Sequence, residues 1–261
     1  MENMSPRVAP GAAAAAGSDR QIWPCTDDRR VGARTGPCEQ VRAFASGGVP
    51  QWARRRRGPR ATAPVVPVWA LLAAALSPVI LVVTATAARW MQPPGYSPLG
   101  QTLSTLAAHG HGHAVMTAGF LAVACCYVVT AVGLRVLRMP ARITLALAGL
   151  CGFVLTVFPP APRAVPVHVA ATAVGALLIA VWPILVISRE PDAAAACRAP
   201  VAIAAAAVLL GLLGWLAGAA IDGWSLLGLA ERVCVFAQPV WPLAVAITSR
   251  ASSPHPGSAE E

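Results

Sequence analysis

Long apolar stretches separated by short polar connectors make up the chain after residue 64. Each stretch approaches or exceeds the length of about 20 residues that an α-helix needs to cross a bilayer core about 30 Å thick. The pattern therefore predicts an all-α fold, an integral membrane bundle of six transmembrane helices within residues 65–250. We expect the six spans at residues 65–88, 113–134, 143–158, 167–187, 201–221 and 229–248.

One long segment, residues 95–113, interrupts the apolar pattern between the first and second spans. Prolines and a glycine at its start predict a turn. Residues 101–108 then predict a short helix, with Ser97 as its N-cap. Leu103 and Leu106 fall on one side of this helix. We expect it to lie on the outer membrane surface or to dip into the mouth of the bundle.

Composition divides the chain into a membrane part and two polar tails. Of the 261 residues, 56% are hydrophobic and 12% are charged, whereas a soluble domain is about a quarter charged. Residues 1–62 are rich in Arg, Pro, Gly and Ala without periodicity, which predicts a disordered cytoplasmic tail. Residues 251–261 predict a disordered C-terminal tail. The seven cysteines imply no disulfide framework, and we expect no cofactor.

The basic residues indicate how the bundle is oriented. All twenty are arginines, and seventeen of them fall on the side that would hold both termini. Arginine concentrates on the cytoplasmic side of membrane proteins. We therefore predict a bacterial cell (inner) membrane protein with both termini in the cytoplasm and with membrane lipids as its partners. The net charge of +9 reflects this bias, and we expect no nucleic-acid binding because no recognition module is present.

Polar residues near the predicted outer ends of the spans form a candidate ligand-binding cluster. Ionisable groups at membrane depth are costly and point to function, but most of these residues lie near an interface that water reaches, where that argument is weaker. We expect Arg232 to pair with Asp222, and Glu231 to meet His168 or a serine hydroxyl. For the Glu231–Arg232 pair we favour a structural role, fixing the top of the last span against the bundle, and a catalytic or ligand-binding role is the alternative. The cluster consists of Tyr96, Ser104, His109, His168, Asp222, Glu231 and Arg232.

Two further patterns bear on metals and on assembly. Histidines 109, 111 and 113 alternate with glycines, but no recognised metal motif surrounds them, so we predict no metal site. Gly211, Gly214 and Gly218 share one helix face, which permits close packing. That face is the candidate surface for a homo-oligomer.

Several of these elements resemble one bacterial multi-pass membrane family, catalogued as domain of unknown function 998. The matching motifs are PGYSPLGQTLSTLAAHG after the first span, VFP at the end of the third, His168 at the start of the fourth, and GLAER opening the last. The resemblance covers roughly residues 65–250 and implies a six-span architecture with no settled activity. Members often carry an acidic residue after FP and a glycine after the histidine, where this chain has Pro160 and Val169.

The function hypotheses belong to three classes. The first is an integral membrane protein without an assignable reaction, whose outer polar cluster binds a lipid headgroup or a small ligand. The second is a membrane-embedded hydrolase that uses the outer His, Asp and Glu residues. The third is a small-solute transporter, although the predicted spans have no mid-membrane charges and no convincing inverted repeat. Catalytic residues, and whether the protein is an enzyme, stay open at this point.

Overall fold

Apolar helices account for most of the structure, a computed structural model that describes residues 65–108, 110–160 and 163–252. The predicted tail 1–62, His109 and most of the predicted tail 251–261 lie outside these residues. In chain order the helices are α1 Val68–Trp90, α2 Leu103–Ala108, α3 His113–Gly133, α4 Met139–Val157, α5 Val165–Leu185, the 3₁₀ helix Ala195–Cys197, α6 Ala199–Ile221, α7 Leu227–Ala237 and α8 Val240–Ala251.

Six spans long and apolar enough to cross a membrane confirm the predicted architecture. Helices α1, α3, α4, α5 and α6 each form one span, and α7 together with α8 forms the sixth over Leu227–Ala251. Large apolar side chains lie exposed along the spans, for example Val83, Leu150, Val174 and Val208. Such surfaces are stable in a hydrocarbon solvent rather than in water. The described residues contain no strand, and the fold is that of an integral membrane protein.

The spans form a ring in chain order. Each span packs against its successor, and the last one closes the ring by contacting α1. The core inside is built from small and branched apolar residues, among which Leu145, Ile179 and Val245 are fully buried. Trp182 is also fully buried, and its indole N–H donates to the Ala141 carbonyl at 2.7 Å. Neighbouring helices are thereby joined by packing and by a satisfied polar contact.

Close packing between α1 and α3 depends on three glycines spaced by multiples of seven residues. A Cβ added to Gly112, Gly119 or Gly133 would meet atoms of α1 at 2.5 Å or less. At Gly119 the obstructing atom is the hydroxyl oxygen of Thr84. Small residues let membrane helices approach until van der Waals contact is dense. These glycines therefore hold the first two spans together.

The glycines that the sequence singled out for close packing lie elsewhere. Nothing lies within 4 Å of a Cβ added to Gly211, Gly214 or Gly218 on α6. Their face is thus open rather than packed inside the chain. Homo-oligomerisation through it stays a prediction.

The sixth span is divided into two helices, whereas a single helix was predicted. Pro239 follows α7, and Pro242 lies in the first turn of α8. Proline lacks the N–H of a helix hydrogen bond, and its ring clashes with the carbonyl one turn earlier. The α-helix consequently ends at Ala237 and restarts at Val240.

At the end of the bundle opposite α2, arginine side chains donate to backbone carbonyls. We call this end of the bundle the arginine end. Arg142 donates to the carbonyls of Ala131 and Val132 at 3.0 and 3.1 Å, near the end of α3. Arg250 donates to the Val66 carbonyl at 2.6 Å and so ties the last helix to the start of the first. Cations near helix C-termini are stabilised by the unpaired carbonyl groups there.

Candidate functional site

Helix α2 lies against the bundle through the two leucines that the sequence placed on one side. Leu103 and Leu106 are 0% and 1% exposed. They pack with Leu81 and Ala85 of α1 and with Met116 of α3. This apolar face fixes the position of the polar residues on the same short helix. We call this end of the bundle the polar end.

The N-cap of α2 is Thr102, not Ser97 as predicted. The Thr105 N–H donates to the Thr102 hydroxyl oxygen at 3.1 Å, the usual bond of an N-cap threonine. Ser97 instead accepts the Gln101 N–H at its own carbonyl, at 2.9 Å, in a preceding turn. The prediction erred because the helix begins at Leu103 rather than at residue 101.

Glu231 of α7 supplies the remaining acceptors at the start of α2. The Leu103 N–H donates to Oε2, and the Ser104 N–H donates to Oε1 at 3.4 Å. The Ser104 hydroxyl also lies 3.0 Å from Oε1. A carboxylate near the first N–H groups of a helix is favoured by the helix dipole. Because Glu231 is only 6% exposed, these donors replace the water that burial removes.

His168 reaches the same serine from α5. Its Nε2 lies 3.2 Å from the Ser104 hydroxyl oxygen. Its Nδ1 lies 2.9 Å from the carbonyl oxygen of Phe158, just after α4. The histidine is 5% exposed. Ser104 thus lies between Glu231 and His168. Helices α2, α5 and α7 therefore meet at the Ser104 hydroxyl.

Arg232 holds the segment before α2 against α7. Its Nη1 shares two hydrogens among the carbonyl oxygens of Pro98, Gln101 and Gly228, at 2.6, 2.7 and 2.9 Å. Its Nη2 donates to the Tyr96 hydroxyl. The backbone of the segment before α2 approaches α7 so closely that a Cβ on Gly228 would lie 2.3 Å from the Gln101 carbonyl oxygen. A guanidinium suits this position because it presents several donors in one plane.

Five of the seven predicted site residues therefore come together at the polar end. They are Tyr96, Ser104, His168, Glu231 and Arg232. Whether they bind a ligand stays a prediction.

Asp222 does not join this cluster, because it lies exposed just after α6. Within the described part of the chain, Arg232 donates to carbonyls and to Tyr96 instead of pairing with Asp222, so that predicted pair is wrong. His109 falls outside the described residues. The neighbouring His113 is exposed, with its Nδ1 3.0 Å from the Gly110 carbonyl. The described residues contain no group of three or more potential metal ligands.

An axial cavity of about 110 Å³ lies inside the ring beside Ser104 and Glu231. Helices α1 to α7 all contribute to its wall, which is mainly apolar. Tyr127 of α3 also lines it and is 8% exposed. No described residue hydrogen-bonds to the Tyr127 hydroxyl. Gln238, at the break in the sixth span, lines the cavity as well.

Sequence reasoning did not select Tyr127 or Gln238 for the site. The available signal was an uncharged polar side chain within each span, which is weaker than a mid-span charge. Only the ring arrangement shows that both residues line the same space as Ser104 and Glu231.

The fold and the buried polar cluster define a six-span integral membrane protein whose spans enclose a partly polar cavity. The family model described as "Protein of unknown function (DUF998)" matches residues 75–248. The chain belongs to this family, as the resemblance of its motifs indicated. No curated protein and no solved structure matches the chain. The family description carries no activity.

Proposed function

We propose that this protein binds a small amphiphilic molecule of the membrane in its axial cavity. The observation that carries the proposal is the composition of the cavity wall. Most of the wall is apolar, while Ser104 and Glu231 border the same space. Pockets of this kind bind ligands through apolar contact and orient them by a few polar groups. The ligand would place its polar group at Ser104 and Glu231.

The size of the cavity restricts the ligand. An apolar cavity of about 150 Å³ in another protein accepts benzene, and this cavity is about 110 Å³. A short aliphatic chain or one end of a longer lipid fits that volume, whereas a complete phospholipid does not. The Tyr127 hydroxyl, which has no hydrogen-bond partner among the described residues, offers a second hydrogen bond to a ligand that carries another polar group.

The orientation of the protein follows the arginines. We propose that the arginine end faces the cytoplasm and that the polar end faces outward, in the inner membrane of a bacterium. Arg135, Arg138, Arg189 and Arg198 are exposed in the loops at the arginine end, which agrees with the cytoplasmic excess of arginine in membrane proteins. A ligand would then come from the outer leaflet or from outside the cell.

Photolabelling with a short-chain alcohol that carries a diazirine tests the binding proposal. The purified full-length chain is placed in vesicles of phosphatidylethanolamine and phosphatidylglycerol, and labelled peptides are mapped. We expect labelling of cavity residues, including Tyr127. Ala171→Leu adds volume to the cavity wall and should reduce this labelling. Ala173→Leu, on the exposed face of the same helix, is the matched control. Labelling confined to lipid-facing residues, equal in both variants, would refute ligand binding in the cavity.

A hydrolase is the second candidate, and one contact favours it. His168 Nε2 lies 3.2 Å from the Ser104 hydroxyl oxygen, the arrangement of a base beside a nucleophile. Against it, the first N–H groups of α2, which are the nearest donors for an oxyanion, already bind Glu231. A serine-directed fluorophosphonate that modifies Ser104 would support the hydrolase, while an unmodified Ser104 would support a binding role alone.

A further inference from the structure

Two buried titratable groups, Glu231 and His168, contact the same hydroxyl. The Ser104 oxygen lies 3.0 Å from the glutamate Oε1 and 3.2 Å from the histidine Nε2. A serine hydroxyl has one hydrogen to donate and two lone pairs that accept. It can therefore donate to only one of these two neighbours. The other neighbour must donate to it, or that contact joins two lone pairs.

The other side of the histidine fixes one hydrogen. His168 Nδ1 lies 2.9 Å from the Phe158 carbonyl oxygen. A carbonyl oxygen only accepts hydrogen bonds, so Nδ1 carries a hydrogen. The state of the ring then depends on Nε2 alone. If Nε2 donates to Ser104, the ring is an imidazolium, and if it accepts, the ring is neutral.

Two proton arrangements satisfy every contact and also give the Ser104 hydrogen an acceptor within the pair. In the first, Ser104 donates to a Glu231 carboxylate and receives a hydrogen bond from an imidazolium. In the second, a Glu231 carboxylic acid donates to Ser104, which donates to a neutral imidazole. Both arrangements contain the same number of protons and have no net charge. A carboxylate beside a neutral imidazole leaves one buried contact without its hydrogen, which is unfavourable.

We propose that Glu231 and His168 hold one proton in common across Ser104, forming a proton-binding site in the wall of the axial cavity. Conversion between the two arrangements moves two hydrogens and no heavy atom. The Glu231 O–H bond breaks as a new O–H bond forms on Ser104. The original Ser104 O–H bond breaks as the N–H bond forms on His168. The pair gains and loses its proton as one unit rather than as two separate groups.

The surroundings favour a pair without net charge. Arg232, the nearest cation in the described part of the chain, directs its donors to backbone carbonyls and to the Tyr96 hydroxyl rather than to Glu231. The remaining titratable side chains that share the cavity wall with Glu231 are uncharged in their usual forms at neutral pH. They are Tyr127, Cys151 and Cys234. A lone carboxylate would thus be a buried charge without a counterion that binds it directly, which is costly.

Nuclear magnetic resonance and infrared spectroscopy of the full-length chain test the proposal. Protein with ¹⁵N-labelled histidine is placed in lipid nanodiscs at pH 7, and the His168 signals are assigned from the His168→Gln spectrum. We expect one of two outcomes. In the first, the His168 ring is an imidazolium and Glu231 shows no carboxylic acid band. In the second, the ring is neutral with its hydrogen on Nδ1, and the infrared spectrum contains a carboxylic acid band that Glu231→Gln removes. A neutral ring with an ionised Glu231 would overturn the proposal.

Variants test whether the proton is shared through the serine. In Glu231→Gln the amide can donate to Ser104, so His168 should be neutral with its hydrogen on Nδ1. The exposed Asp222→Asn is the matched control and should leave the His168 signals unchanged. Where the native ring is an imidazolium, its conversion to the neutral form by Glu231→Gln should be reduced in a Ser104→Ala background. Where the native ring is neutral, Ser104→Ala removes the hydrogen bond to Nε2 and should shift the Nε2 signal. The relay is refuted by an imidazolium that Glu231→Gln neutralises equally in both backgrounds, or by a neutral ring whose Nε2 signal is unchanged in Ser104→Ala.

Discussion

Replacing Gly228 with alanine tests whether the polar end is held together by close backbone contact. A Cβ at this position would lie 2.3 Å from the Gln101 carbonyl oxygen and 2.7 Å from the Pro98 carbonyl oxygen. Both obstacles are backbone atoms, which cannot rotate away as a flexible side chain does. We therefore expect the segment before α2 to move off α7 in Gly228→Ala.

The expected loss of stability follows from the bonds that such a movement breaks. Leu229 N–H donates to the Leu99 carbonyl at 2.9 Å, and Arg232 donates to Pro98 and Gln101. Each bond contributes about 0.6 to 1.5 kcal/mol, with the bonds from a charged donor toward the upper end. Their combined loss is about 3 kcal/mol. Alanine regains about 1 kcal/mol of helix propensity. We expect a net decrease of about 2 kcal/mol in the free energy of unfolding.

Unfolding in detergent micelles by increasing dodecyl sulfate, followed by tryptophan fluorescence, measures this change. Gly211→Ala is the matched control, because nothing lies within 4 Å of its added Cβ. That variant should be as stable as the native chain, or more stable by up to about 1 kcal/mol. If Gly228→Ala is as stable as Gly211→Ala, the tight contact between α7 and the segment before α2 contributes nothing, and the reasoning is wrong.

Three further predictions concern single side chains. Thr102→Ala removes the N-cap of α2 and should lower the unfolding free energy by about 1 kcal/mol in the same assay. Arg232→Lys keeps the charge but loses the planar fork, so it should destabilise by about 1 to 2 kcal/mol, whereas the exposed Asp222→Asn should stay within about 0.5 kcal/mol. Burial raises the pKa of the Cys197 thiol, an effect that a hydrogen bond with Ser249 partly opposes. Variants with a single cysteine should therefore show slower maleimide modification at Cys197 than at a cysteine introduced by Asp192→Cys, in the exposed part of the same loop, with the Cys197 rate rising only at alkaline pH.

The six spans could be predicted from sequence because each depends on local hydrophobicity. The division of the last span could have been predicted as well, since Pro239 and Pro242 are visible in the sequence. The packing glycines could not be identified by spacing alone. Gly211 and Gly214 have the favourable spacing but face outward, while Gly119 packs on α1. Which face of a helix meets a neighbour depends on the order of helices around the ring.

The candidate site was partly predictable for a similar reason. Glu231 and His168 stood out as polar residues at span ends, and a serine hydroxyl was among the expected partners of the glutamate. Asp222 carried the same signal yet lies exposed, because only three-dimensional packing decides which span-end residue turns inward. The cavity itself has no sequence signature. Its wall takes residues from seven helices, and Tyr127 contributes one polar group to it.

The contacts between α2 and α7 have a consequence for how the chain is made. Ser104 and Glu231 are separated by 127 residues, and Tyr96 and Arg232 by 136. During synthesis, α2 reaches the membrane long before α7 has left the ribosome. The first two N–H groups of α2 therefore lack their acceptor, the Glu231 carboxylate, until α7 is inserted. A chain that stops before residue 227 would contain five apolar spans but an open ring, an unsealed cavity and an incompletely capped α2. Closure by the final span thus distinguishes a finished molecule from an unfinished one.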